Sequence, residues 1–259
     1  VSDNTITNIN FTNTLIKVKK NYVYEEEKLL NNDNYKLLKK NVIQLNSKYK
    51  YITNCSSSHD IIAYLMVLMN CYCSKEMFKE KNGIYRSVIL DKVKPCPKDL
   101  PEDVQKYLKI WTSSSGQYIL HCDEAKHELL NMDSYIHITS PIRRLVDLLN
   151  MIRFQKNLNM ISLSDKANDF YENWINRLPY INITMRAIRK IQCDCNLLHH
   201  YTTNQEILQD IYKGYVFDKL CRNDGLFQYI VYLPKLKLTS RITLRENFEN
   251  YSCCNFKLY

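Results

Sequence analysis

One stretch of this chain changes its period in mid-run, and that change limits what the surrounding residues can build. In Tyr135-Ile136-His137-Ile138-Thr139 the side chains alternate, with Tyr135, His137 and Thr139 on one face and Ile136 and Ile138 on the other. That is the two-residue period of a short strand. Ser140-Pro141 follows, and then Ile142, Leu145, Leu148 and Leu149 recur at helical spacing. Serine is a good N-cap and proline is best tolerated in a first turn, so the spacing predicts a strand running straight into a helix at Ser140. The amino end of such a helix carries free N–H groups and a positive dipole, which suit an anion. Arg143 and Arg144 fall in its expected first turn and, being adjacent, point roughly 100° apart. Asp147 lies four residues after one and three after the other, so it can brace either. The expectation is a phosphate-gripping corner with one arginine tethered and one free.

Composition sets the frame for that corner. The chain has 259 residues, 45% of them hydrophobic, which is enough for one large domain or one domain and part of a second. A formal net charge of +9 suits a polyanionic partner. Only 4 glycines and 6 prolines argue against collagen-like, disordered or many-turned all-β chains. The longest apolar run, near Ile61–Met69, is shorter than a membrane span, so no membrane is expected. The 10 cysteines include no Cys-x-x-Cys pair and read as reduced thiols of an intracellular, cytoplasmic protein. Cys193, Cys195, His199 and His200 do not read as a zinc site, because helical positions two apart diverge by about 200°. His121 and His127 lack a third ligand at suitable spacing. The first residues are polar and no methionine opens the chain, so it is expected to begin within a longer protein.

Along the chain, residues 5–11 and 14–18 alternate as strands would, and Tyr24-Glu25-Glu26-Glu27 reads as an acidic helix start. A helix is expected near Tyr35–Gln44. Ser57, with Asp60 three residues on, opens a helix that is apolar nearly all round and must be buried. Ser58, His59 and Asp60 stand too close together at a helix start to converge as a hydrolytic triad. Gly83-Ile84-Tyr85-Arg86 and Gln117–Leu120 read as strands. Pro95, Pro97 and Pro101 mark a loop before a short helix over Glu102–Trp111, and Asp123–Leu130 reads as an acidic helix. The long helix Ile181–Tyr201 carries a one-sided basic stripe, Arg186, Arg189 and Lys190, with Ile188, Ile191, Cys195 and Leu198 expected to face inward. From Ile211 the pattern becomes strand, turn at Asn223-Asp224-Gly225, strand, with further strands near Arg241–Leu244 and Asn255–Tyr259.

Two of these stretches carry a resemblance. Tyr-Ile-His-Ile-Thr-Ser-Pro-Ile-Arg-Arg with Val-Asp behind it resembles the hallmark of the RNase II family of exoribonucleases (RNase II, RNase R and the exosome nuclease, the RNB family). Ser58-His59 through Met66 and Asn70 resembles a second motif of that family, whose two glutamates fall here on Ala63 and Tyr64. The resemblance implies an α+β fold, an RNB-type mixed sheet wrapped by helices over residues 1–205, followed by an incomplete S1-type or OB-like barrel over 206–259. It implies 3′-to-5′ hydrolysis of single-stranded RNA with Mg²⁺. Arg143 and Tyr24 match the catalytic set. Ser140, Arg144, His137, Thr139 and Arg86, the stripe Arg186, Arg189 and Lys190, and Tyr229 among the strand aromatics Tyr215, Phe217, Phe227, Tyr229 and Tyr232, are the implied RNA contacts. The family holds its metals with a cluster of aspartates. Asp91, Asp99, Asp103, Asp123 and Asp133 are scattered here, so no metal ligand is assigned in this chain. Three functions therefore stand open: such an exoribonuclease, a relative that binds RNA without cutting it, and a basic helical domain that binds an acidic protein.

Overall fold

The computed structural model describes residues 5–53, 55–89, 97, 99–112, 116–122, 125–203 and 205–258. It is an α+β chain with two compact units, one of residues 1–89 and 116–178, the other of 90–115 and 179–259. The sequence division at 205/206 falls inside the second unit. Pro95, Asp91 and Asp123 lie outside the described residues.

The first unit is built around one helix. After α1 (Glu27–Leu30), α2 (Asp33–Lys48) is capped by Asn32, whose side chain accepts from the Tyr35 N–H at 3.1 Å. Then α3 (Ser58–Lys79) starts at the expected capping box: the Ser57 hydroxyl accepts from the Asp60 N–H at 3.1 Å, and the Asp60 carboxylate from the Ser57 N–H at 2.9 Å. One face of α3 packs Ile61 and Tyr64 against Val42 and Leu45 of α2. Another buries Cys73 and Met77 with Tyr85, Ile136, Ile138 and Phe154. The helix is long and apolar enough to cross a membrane by length and composition, and here it is the core helix of its unit. It is not buried all round: Ile62 and Met69 stay exposed at 49% and 42%. Beside it stand β1 (Ile84–Ser87), β2 (Gln117–Leu120) and α5 (Leu145–Asn157), and α6 (Asp165–Ile175) meets α5 where Lys156 donates to Asn168.

Several local expectations for this unit are not met among the described residues. Residues 5–11 and 14–18 form no strands: Thr5 makes an isolated bridge, and among the described residues no strand pairs with the rest. Phe11 instead packs edge-on against Phe154 at 4.9 Å, and Leu15, Ile16 and Val18 lie exposed. The mixed sheet is reduced to an antiparallel pair, β1 with β2. Among the described residues the backbone of the Tyr135–Thr139 run pairs with it at one isolated bridge, Tyr85 to Ile136. The acidic helix expected over Asp123–Leu130 is only a 3-10 turn at Glu128–Leu130.

In the second unit α4 (Glu102–Thr112) lies on a four-stranded antiparallel sheet of order β5-β4-β3-β6, from β3 (Ile211–Cys221), β4 (Phe227–Leu233), β5 (Leu238–Leu244) and β6 (Cys253–Lys257). β3 and β4 pair Tyr215 with Tyr232 and Val216 with Val231, across the expected turn where Gly225 takes φ +78°. One face of the sheet buries Val216, Tyr229 and Val231; the other packs Phe217, Ile230 and Tyr232 against Val104 and Leu108 of α4. Tyr107 stacks flat on Tyr232 with centroids 3.7 Å apart. The sheet is open, with β5 and β6 at its edges, so no closed barrel is seen among the described residues. The long helix α7 (Leu178–Thr203) forms as expected, but Ile188, Ile191, Cys195 and Leu198 are exposed instead of inward. Burial is confined to its first turns, at Leu178 and Ile181, so its apolar stripe has no cover beyond them among the described residues.

Candidate functional site

The corner exists, with a different construction from the one the sequence suggests. Ser140–Arg143 is a turn and not a helix: the amides of Arg143 and Arg144 both donate to the Ser140 carbonyl, at 3.2 and 3.1 Å. The helix α5 begins at Leu145 with Arg144 as N-cap, whose side chain makes no capping bond. Pro141 therefore shapes a turn, a role its fixed φ serves equally well. Asp147, in the first turn of α5, is wholly buried. One of its oxygens, Oδ1, accepts from the Ser140 N–H and from Arg144 Nη2, both at 2.8 Å. A carboxylate in that position also satisfies the helix dipole from inside, so the amino end is no vacant anion site of the kind expected. Arg144 is the tethered arginine, its side chain 18% exposed. Arg143 is the outward one, exposed, with Nη2 3.4 Å from the Ser140 hydroxyl.

Behind the turn lies a packed polar and aromatic cluster. The Tyr118 hydroxyl is 2.8 Å from His137 Nδ1, and Arg86 sits over the Tyr118 ring at 5.1 Å. A Cβ at Gly116 would stand 2.5 Å from Arg86 Nη2, so glycine there leaves the guanidinium its room. Arg86, an expected RNA contact, is only 8% exposed here, a buried cation held against a ring. Tyr135 packs edge-on against His127 and His137, and burial, above all, raises its pKa. Burial, with repulsion from Arg86 behind it, lowers the His127 pKa to about 4. Thr139 is half-buried; its hydroxyl makes no hydrogen bond, and the residue lines an open apolar cleft of about 720 Å³ with Phe11, Leu65, Leu68, Tyr72 and Ile138. The cleft thus reaches the residue before Ser140.

The other expected contacts lie elsewhere. Tyr24 is 55% exposed and packs edge-on against His59 at 5.2 Å. It is presented there by its neighbour. Glu25, at φ +59°, donates its N–H to the Ser58 hydroxyl at 3.0 Å, while its carboxylate accepts from that hydroxyl at 2.7 Å and from the Ser58 N–H, and the two bonds the carboxylate accepts lower its pKa. No contact joins Tyr24 to the corner among the described residues. Arg186, Arg189 and Lys190 are exposed on α7, in the other unit. Tyr229 is fully buried, with its hydroxyl donating to the Glu246 carbonyl at 3.0 Å and accepting from the Phe248 N–H at 2.8 Å. The ring expected to stack on a base thus lies in the core, and so do Phe217 and Tyr232. Sequence reasoning gave no role to Tyr118 or Asn150, read Glu25 only as part of an acidic helix start, and matched Asn70 to the second family motif without a contact. The usable signal for two of them was an asparagine set among apolar helix positions, which has to find partners once buried.

Magnesium prefers six oxygen ligands, drawn from carboxylates and water. Among the described residues no three His, Cys, Asp or Glu side chains gather as such a set. Asp147 Oδ2 is buried without a partner, but an arginine and no second carboxylate stands beside it. These residues do not fit a magnesium site. Ala63 and Tyr64 bring no carboxylate either, Tyr64 being wholly buried between α2 and α3.

No family model and no curated protein matches the chain. Among solved structures it is similar to yeast Ssd1, a pseudonuclease, at 14% identity and a TM-score of 0.45, over 71% of this chain and 26% of that one. It is also similar to the apo form of Mycoplasma genitalium RNase R, at 18% identity and a TM-score of 0.47, over 73% of this chain and 34% of that one. The same enzyme in complex with ribose-methylated single-stranded RNA aligns at 16% identity and a TM-score of 0.47, over 80% and 40%. The chain thus spans between about a quarter and two fifths of the length of these proteins.

Proposed function

We propose that this chain supplies the RNA-gripping corner of an RNase II-type 3′-to-5′ exoribonuclease that works on single-stranded RNA in the cytoplasm. The observation that supports the reading best is the Ser140–Asp147 corner. A buried carboxylate ties down Arg144 and the Ser140 amide, and Arg143 is left outward at a turn whose sequence resembles the family hallmark. A guanidinium so placed pairs well with a phosphodiester oxygen. The adjoining apolar cleft gives bases a place beside it. Mg²⁺ belongs to this proposal for the whole protein; no step is assigned to it here, since the described residues do not hold it. The four-stranded sheet of the second unit, with β6 returning to pair with β3, supports an S1-type reading of that part. One observation favours a second reading, RNA binding without hydrolysis: Tyr64 and Ala63 stand where the family has glutamates.

The test is anisotropy of a fluorescein-labelled oligouridylate against salt. Arg143→Ala is expected to weaken binding and to lower the slope of log K against log[salt] by about one phosphate contact. Unchanged affinity and slope would remove Arg143 from the interface and the proposal with it. Incubation of 5′-labelled RNA with the chain and Mg²⁺ is expected to release no nucleotides. Release would show that metal ligands have been overlooked.

A further inference from the structure

We propose that Asn70 and Asn150 are positioning residues for the Arg143 turn: together with Asp147 they replace the missing strand partner of residues 137–140 and so set where that arginine stands. The proposal rests on the RNA-binding reading above.

The bonding explains why. The Arg86 N–H donates to the Tyr135 carbonyl at 2.8 Å, and the β1 ladder goes no further than the Ile136 bridge. Beyond it the backbone is still buried or half-buried, yet among the described residues no strand continues alongside. Its polar groups must then find other partners. Asn150 of α5 donates from Nδ2 to the His137 carbonyl at 2.9 Å. The same amide spans β1, donating to the Ile84 carbonyl and accepting from the Ile84 N–H, each at 2.8 Å. Asn70 of α3 accepts from the Ile138 N–H at 3.1 Å through Oδ1 and donates from Nδ2 to the Tyr135 hydroxyl at 2.9 Å. Asp147 then takes the Ser140 N–H. Three wholly buried side chains, on two helices, thus hold three backbone groups within four residues. A strand pair can slip by register, whereas each amide here fits one donor and one acceptor pattern and cannot. The turn that carries Arg143 starts at the last of these anchors. Asn70 and Asn150 therefore act on RNA only through the placement of that arginine.

The experiment compares Asn70→Leu, Arg143→Ala and the double variant in the full chain by oligouridylate anisotropy across salt, at a temperature where circular dichroism shows each folded. Asn70→Leu is expected to weaken binding about tenfold and to lose the same unit of salt slope as Arg143→Ala. The double variant is expected to be no worse than Arg143→Ala alone. Loss that adds in full to that of Arg143→Ala, with the salt slope of Asn70→Leu unchanged, would mean a general structural role and overturn the proposal. Should Asn70→Leu not fold, Asn70→Asp carries the test. It still offers Ile138 an acceptor, and the Tyr135 hydroxyl can donate to it, so wild-type salt slope is expected and its loss would overturn the proposal. If Arg143→Ala itself changes nothing, the RNA-binding reading fails first and this inference falls with it. If Arg143→Ala weakens binding while folded Asn70→Leu does not, only this inference fails.

Discussion

Removing the Asp147 carboxylate should cost the first unit about 3 kcal/mol. Asp147→Ala leaves the Arg144 guanidinium, 18% exposed, without its anion, and leaves the Ser140 amide without its acceptor. Breaking a buried pair by deleting one partner costs roughly 3–5 kcal/mol, and the access of water to Arg144 argues for the low end. The unmet Ser140 amide contributes within that range, since about 1 kcal/mol is usual for such a group when half-buried. The reporter is Trp174 on α6, which belongs to the first unit, in a Trp111→Phe background because Trp111 lies in the second. Urea unfolding followed by Trp174 fluorescence should show the midpoint falling by about 1.5 M, with unchanged slope near 2 kcal/mol/M. Asp147→Asn keeps an acceptor for the Ser140 amide and should lose about half as much. A loss below about 1 kcal/mol for Asp147→Ala would show that the pair does not hold the turn, and the account of the corner would be wrong.

Two further perturbations probe one unit each. His127 is neutral in the folded state down to about pH 4, while the unfolded chain takes up a proton below about 6.5. Stability should therefore fall as pH drops from about 6.5 to about 4, by on the order of 3 kcal/mol. His127→Asn, which still offers Leu130 an acceptor, should flatten that dependence in urea titrations at pH 7 and 4.5; an equally steep variant would exclude His127 as the cause. In the second unit a Cβ at Gly214 would meet Leu233 and Phe256, each at 2.6 Å. Gly214→Ala should lower thermal stability by about 1–3 kcal/mol, read by calorimetry, and a neutral or stabilising change would show that the β3–β6 pairing has slack there.

Much of the local structure is legible in residue order. The Ser57 cap with Asp60, the strands Ile84–Ser87 and Gln117–Leu120, and the turn at Gly225 each follow from side chains a few positions apart. That Asp147 braces one of the two arginines follows as well, since positions three and four apart are neighbours near a helix start, but which of the two does not. Tertiary structure decided the rest, because burial is a property of the neighbours and not of the residue. The alternation at residues 5–11 and 14–18 is real, but a strand is a pairing, and among the described residues nothing beyond a bridge at Thr5 pairs with them. Tyr229 and Arg86 have the chemistry to touch RNA, yet Glu246, Phe248, Tyr118 and the space at Gly116 take them inside. Conversely, Asn70 and Asn150 read as interruptions of apolar helices until α3, α5 and β1 bring Ile138, His137 and Ile84 within reach. Sequence determined which residues could grip an anion. Only the packing of distant helices around one unpaired stretch of backbone decided which arginine is left facing out.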